Sequence, residues 1–357
     1  MRYNTRNTQS SVNDKKMTQN ISTDKEDGSL HIALSPWDLT DDYNRHAAVT
    51  LLSLLEHCSV PVTVHLLFEK SLSKGKEAEE ERTILRYKKI ADKYNCSIHY
   101  HPVTLPEWVN SLSAVHKWTR GTLLRLYLPD ILPEINKILY LDCDIVVMAD
   151  AAKIWNLPLD NYYLGAVKDS DIPTYSSRRI KIYNEKEIPA DSYFCAGLIL
   201  FNLEKIRQNT ESFGDLLLEH LKKNPTLPFL DQDLLNWYCK GDYLQLNDRY
   251  NIYSWKWDAA GSTEDFILHY AWHEVKPWKL YSGAVDNYYW NYLMQTPWCE
   301  KSDDILKYLR EAPNLKKVVP LLLWSDFSKL IDGTKRQKMK TAWKLTLHLW
   351  RTIIFKK

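Results

Sequence analysis

No apolar run in this chain of 357 residues approaches the roughly 20 residues that a membrane-spanning helix needs. The N-terminus also lacks the apolar centre of a signal peptide. Residues 1–28 are rich in Asn, Thr, Ser and Lys and read as a disordered leader that stays on the protein. The cysteines Cys58, Cys96, Cys143, Cys195, Cys239 and Cys299 are widely spaced, with no Cys-x-x-Cys among them. That spacing disfavours a disulfide framework or a zinc site and fits reduced thiols in a cytoplasm. No internal repeat is present. A formal net charge of +2 argues against nucleic acid as a partner.

What remains is ample material for folding. With 45% hydrophobic and 26% charged residues, the chain is long enough for one large α/β domain plus an appendage. Fourteen Trp and 22 Tyr are many, but carbohydrate-stacking surfaces, membrane interfaces and ordinary cores all use such rings, so the count alone decides nothing.

Apolar periodicity predicts strands at 30–34, 62–68, 97–101, 163–167 and 197–202. Helices are expected at 45–57, with Asn44 as N-cap, and at 76–94, 113–128, 204–224 and 229–240. Strand and helix alternate as in a doubly wound sheet, mostly parallel and twisted, with flanking helices. The polar stretch 169–192 is long enough for a lid or specificity loop. Past about residue 300 the character changes. The tail 329–357 interleaves nine Lys and Arg with Trp343, Leu347, Trp350, Ile354 and Phe355 against a lone Asp332. A basic helix of this kind lies on an anionic membrane surface, so residues 301–357 are expected to form a helical, membrane-contacting extension of a 29–300 domain.

Residues 137–148 carry the strongest chemical signal. The apolar run Ile138 to Leu141 reads as a buried strand ending on Asp142 and Asp144, and a second apolar run, Ile145 to Met148, follows at once. Unpaired carboxylates are costly to bury in such surroundings, so a cation should meet them. A divalent metal carrying a diphosphate answers that need. Asp169/Asp171 and Asp231/Asp233 repeat the Asp-x-Asp spacing, but without flanking strands on both sides.

Five segments taken together resemble bacterial glycosyltransferase family 8, the retaining galactosyl- and glucosyltransferases of lipopolysaccharide and related glycan synthesis. They are Asp41-Asp42-Tyr43, the LYLDCD run at 139–144, YFCAGLILFNL at 193–203, DQDLLN at 231–236, and the segment from His269-Tyr270 to Lys276-Pro277-Trp278. The resemblance implies a single GT-A-type nucleotide-sugar-binding domain. It further implies that Asp142, Asp144 and His269 ligate Mn²⁺ or Mg²⁺, with the imidazole tilting the choice toward Mn²⁺. Lys276 would contact the diphosphate, and Arg125 the donor sugar or phosphate. Asp41, Asp42 and Tyr43 would hold the uridine, while Cys195 and Ala196 would border the donor. Gln232 would lie on the β-face of the donor sugar, with Asp231 and Asp169 on its hydroxyls; Asp233 serves equally as a helix cap.

The implied activity is metal-dependent, retaining transfer of galactose or glucose from a UDP-sugar to a glycan or glycolipid hydroxyl such as lipopolysaccharide core. Its implied setting is the cytoplasmic face of the cell membrane. The sequence departs from the family at Cys195, where an Asn is usual, and at Trp272-His273-Glu274-Val275, one residue longer than the usual Gly-bearing gap. These departures leave open a catalytically impaired nucleotide-sugar-binding or scaffold protein. A two-metal phosphodiesterase is disfavoured, because no further His/Asp cluster is present.

Overall fold

The computed structural model describes residues 28–40, 43–69, 75–171, 177–257, 265–272, 276–279 and 283–300. Asp41, Asp42, the N-terminal leader and the basic tail lie outside the described residues.

Two sheets form the frame. The larger contains β1 (Leu30–Trp37), β2 (Val62–Glu69), β3 (Ser97–Val103), β4 (Lys137–Leu141), β6 (Leu164–Lys168), β7 (Phe194–Asn202) and β8 (Leu244–Gln245) in the order β3-β2-β1-β4-β7-β6-β8. All run parallel except β7, which is antiparallel to both of its neighbours. The smaller sheet is β5 (Ile145–Met148), β10 (Phe266–His269) and β9 (Ile252–Tyr253), in that order. The mostly parallel α/β architecture expected of the sequence is therefore the one observed.

Burial explains which strands are central. β4 from Ile138 onward and β7 up to Phe201 are buried at every position, as strands covered by helices on both faces must be. At the edge, β3 has a single buried residue, Val103, and tolerates Pro102, which could not donate to a central ladder. Three acidic residues in the first turn of helix Glu77–Tyr94, Lys93 in its last, and Asn95 in the left-handed conformation after it mark this helix's ends.

Several local expectations needed correction. The first strand runs three residues past Leu34, to Trp37. The helix at Asn44–His57 has Tyr43 at its N-cap position, because the Asn44 side chain instead donates to the Asp38 carbonyl at 2.7 Å. Residues 113–128 divide into a short helix at Val115–Trp118, a 3-10 helix at Arg120–Tyr127 and a further turn beginning at Leu128. The expected helix 204–224 is two helices, Leu203–Asn209 and Phe213–Lys223. Asp130 starts the second by accepting the N–H groups of Phe213 and Gly214 at 3.0 and 2.9 Å. The polar stretch 169–192 contains a helix of its own, Ser177–Glu185.

Candidate active site and metal centre

The carboxylate turn forms where the two sheets separate. β4 ends at Leu141, and the chain swings through Asp142-Cys143-Asp144 before β5 begins in the other sheet. Cys143 turns inward and packs in the core. Helix Asn44–His57 fastens this turn from one side. Thr50 donates to the Ile145 carbonyl at 2.7 Å, and Ser53 accepts the Val147 N–H at 2.9 Å.

Antiparallel pairing of β5 with β10 sets His269 opposite Ile145, and Tyr270 N–H donates to the Asp144 carbonyl at 3.0 Å. This register brings a histidine 125 positions downstream of Asp144 beside both carboxylates. His269 Nε2 lies 3.3 Å from Asp144 Oδ1 and 3.7 Å from Asp142 Oδ2. Its Nδ1–H donates to Asn251 Oδ1 at 2.8 Å, and Cys195 Sγ lies 3.8 Å from the same nitrogen. That hydrogen bond fixes the ring so that Nε2 faces the carboxylates.

Cations surround the cluster. Lys276 forms a buried ion pair with Asp144 Oδ2. Arg125, on the 3-10 helix Arg120–Tyr127 and only 2% exposed, donates to Asp142 Oδ1 at 2.6 Å, to the Ala196 carbonyl at 2.6 Å and to the Thr122 carbonyl at 2.9 Å. Its Nε is also 3.2 Å from Asp231 Oδ2, and its guanidinium stacks 4.1 Å from the centre of the Tyr140 ring. Here Arg125 binds Asp142, Asp231 and the Ala196 backbone into one unit.

These charges displace the titrations. Burial opposes ionisation of Asp144, but Lys276 and His269 outweigh it and hold the carboxyl well below the usual range. Burial likewise opposes a charged His269, yet Asp144 lifts the imidazole to about 10. Burial raises Asp142 against the pull of Arg125, and raises Asp231 to about 6 against the same arginine.

The remaining predicted residues gather around the same cavity of about 460 Å³. Gln232 follows Asp231 at the start of helix Asp231–Cys239; its Oε1 accepts the Ala196 N–H at 2.9 Å, and its Nε2 lies 3.2 Å from the Tyr193 hydroxyl and 3.4 Å from Asp169 Oδ2. Asp169 also accepts from Tyr253 at 3.0 Å. Asp233 lies off the cavity, accepting from the Tyr193 hydroxyl at 2.6 Å and from the Phe229 N–H at 2.7 Å, a donor ahead of helix Asp231–Cys239 rather than in its first turn. Tyr43 stands edge-on to Trp278 and His46 at the cavity wall. Sequence reasoning missed Asn251, Tyr253 and Tyr140, whose hydroxyl donates to Asp142 Oδ1 at 3.1 Å. Asn251 and Tyr253 lie outside the motifs, and Tyr140 lies inside the LYLDCD run, where it reads as one more apolar strand residue.

The cluster suits a divalent cation. Among the described residues, one ligand atom each from Asp142, Asp144 and His269 lies within 4.8 Å of the others. Asp144 Oδ1 is buried, and its nearest polar partner is His269 Nε2 at 3.3 Å, without good hydrogen-bond geometry. Ligand atoms around a single ion sit about 3–4 Å apart, so only a slight contraction would be needed. Two carboxylate oxygens and one imidazole, with Asn251 behind the ring, form an oxygen-rich donor set for a divalent cation.

A mostly parallel sheet with an Asp-x-Asp turn and a distant histidine at its carboxyl edge defines a GT-A-type nucleotide-sugar-binding domain. The chain belongs to glycosyl transferase family 8, whose model matches residues 36–281. It is 30% identical over 205 residues to glycosyltransferase GlyF of Streptococcus pneumoniae, covering 54% of this chain and 47% of that protein. To the lipopolysaccharide 1,2-glucosyltransferase of Escherichia coli K12 it is 25% identical over 233 residues, 60% of this chain and 65% of the other. The chain thus spans less than two thirds of either relative. In fold it is similar to the galactosyltransferase LgtC solved with donor and acceptor sugar analogues, with a TM-score of 0.60 at 21% identity over 75% of this chain and 96% of that one.

Proposed function

We propose that this protein transfers galactose or glucose, with retention of configuration, from a UDP-sugar to a hydroxyl of a glycan or glycolipid, with lipopolysaccharide core as the favoured acceptor. The observation that carries this reading is the convergence of Asp142, Asp144 and His269 at the wall of a cavity that also holds Gln232. Family membership and the kinship with a lipopolysaccharide glucosyltransferase support it.

A divalent cation bound there, Mn²⁺ in preference to Mg²⁺, supplies positive charge to the diphosphate oxygens as they leave. The chain's own residues do the rest. Arg125 and Tyr140 orient Asp142, while Asn251 aims His269. We assign Lys276, paired with Asp144, to the charge that grows on the leaving diphosphate. Gln232 is an amide locked by Ala196, Tyr193 and Asp169, a poor nucleophile suited to face the sugar rather than attack it. We assign Asp231 and Asp169 to the sugar hydroxyls. The acceptor oxygen then forms its bond to the anomeric carbon on the face from which the phosphate oxygen departs, and that oxygen takes the hydroxyl proton. No glycosidase-like pair of carboxylates is required.

The setting we infer is the cytoplasmic face of the cell membrane, with the basic tail at 329–357 holding the enzyme to anionic lipid. Among the described residues no helix is long and apolar enough to cross a membrane. Purified protein with Mn²⁺ and a panel of UDP-sugars tests the activity. Acceptor-dependent UDP release with an α-linked product from an α-linked donor supports it, and release that ignores the acceptor contradicts it.

A further inference from the structure

Three half-buried aromatic rings border the cavity and take no part in the chemistry above: Trp118, Phe229 and Trp272. Trp118 lies 5.4 Å from Phe229 and 5.9 Å from Trp272, centre to centre, and Trp255, 38% exposed, continues the row 6.4 Å beyond Trp272. The row is fastened from below. Trp118 Nε1–H donates to the Pro228 carbonyl at 2.8 Å, and Trp272 Nε1–H to Asp171 Oδ2 at 3.3 Å. Both indoles therefore have their polar edge satisfied while their rings stay at the cavity wall.

The row hangs from segments that carry the reaction centre. Phe229 precedes Gln232 by three residues, and Trp272 follows His269 by three. With Tyr43, beside Trp278, assigned to the uridine, and with Phe229 and Trp272 each three residues from Gln232 and His269, we assign the row to the sugar end.

Charge separates this surface from a neutral sugar platform. The exposed Lys117 ammonium sits 4.7 Å from the Trp118 ring centre and 5.1 Å from that of Trp272, between the two indoles. Three other cations are matched to carboxylates, Lys276 by Asp144, Arg125 by Asp142 and Asp231, and Lys256 by Asp171 at 2.5 Å, while Arg179 stacks 4.6 Å from the Phe229 ring centre. Among the described residues no carboxylate pairs with Lys117.

We propose, resting on the glycosyltransferase reading above, that Trp118, Trp272 and Phe229 form the acceptor platform and that Lys117 selects an acidic saccharide, one bearing a phosphate ester or a carboxylate beside the ring that stacks. The sugar's apolar face covers the indoles, and its anionic group receives a charge-assisted hydrogen bond from the ammonium. On this account the lengthening of the chain after Tyr270 does not impair the site; it installs Trp272 as an acceptor contact.

Calorimetry on the full chain with UDP and Mn²⁺ present tests this, using three probes: methyl glucoside, its 6-phosphate and methyl glucuronide. At least one acidic probe should bind about tenfold more tightly than the neutral one, and whichever arm wins names the anionic group. Lys117→Met should erase that difference, and Trp272→Ala should weaken all three probes about tenfold. UDP binding should survive both substitutions unchanged. Equal affinity for all three probes, or an acidic preference that persists in Lys117→Met, overturns the proposal while leaving the donor site intact. Failure of the unaltered protein to bind UDP with Mn²⁺ overturns the donor reading, and this proposal with it.

Discussion

Gly197 leaves the space that the His269 imidazole fills. A Cβ on Gly197 would collide with His269 Cε1 and stand only 2.7 Å from Nδ1 and 3.0 Å from Nε2. The ring cannot yield freely, since Asn251 holds Nδ1 and Asp144 lies against Nε2. Gly197→Ala should therefore push the imidazole off the carboxylates and lower kcat/KM by about 10² while the sheet stays folded, because a shift of about 1 Å at a reacting centre has that effect. Circular dichroism beside a UDP-release assay separates the two consequences.

Asp144→Asn and His269→Ala should each reduce transfer by at least about 10³, with the fold retained, if their work lies in stabilising charge in the transition state. Asp144→Asn also strands the buried Lys276 ammonium against a neutral amide. Its melting temperature should fall, and adding Lys276→Met should recover part of that fall. Near-normal turnover in either single variant would count against the metal assignment.

Asn251 touches no substrate in this account; it aims a ligand. Asn251→Leu should weaken Mn²⁺ binding by about 10–100-fold, the range typical for removing the partner of a metal-bound histidine. Titration calorimetry with Mn²⁺ alone reads this directly, and unchanged affinity would show that the ring needs no such support.

The titration of His269 gives a pH test with a definite sign. In the metal-free protein its pKa is raised to about 10, with Asp144 overcoming the opposing effect of burial. The protonated ring therefore contributes stability that is full below about pH 6.5 and is lost as pH rises through about 10. Asp144, held below the ordinary carboxylate range, contributes above about pH 4 and loses its contribution as pH falls. A metal at Nε2 must displace that proton, so Mn²⁺ affinity should rise about tenfold per pH unit from pH 6 to 8, with one proton released. Calorimetry in buffers of different ionisation enthalpy counts the proton. A pH-independent affinity would place the metal elsewhere.

Truncation after about residue 320 should abolish co-sedimentation with anionic vesicles and spare transfer to a soluble acceptor, because the basic, Trp- and Leu-bearing tail is assigned to the membrane alone. Vesicle binding that persists in the truncated protein would remove that assignment.

The legible part of this structure was the part written in local pattern. The run Ile138 to Leu141 ending on two aspartates announced a buried strand and a charged turn, and both are present. His269 was reachable only through its family-like segment, because a β5–β10 register joins it to residues 125 positions away. Helix 204–224 was misread because apolar spacing continues across Thr210 to Ser212. The break is made by Asp130, a distant carboxylate that caps the second helix. Asn44 does not cap because the carbonyl of Asp38, in the loop just before the helix, takes its side chain. Asn251 and Tyr253 act through contacts that the fold creates, and no spacing rule points to them.

Pulsed electron paramagnetic resonance of Mn²⁺ bound with UDP tests the central claim most directly, since it reads the nuclei around the ion. The unaltered protein should show coupling to one imidazole nitrogen and to diphosphate phosphorus, and His269→Ala should lose the nitrogen signal alone. A spectrum with no imidazole nitrogen, or with one that survives in His269→Ala, would contradict the account.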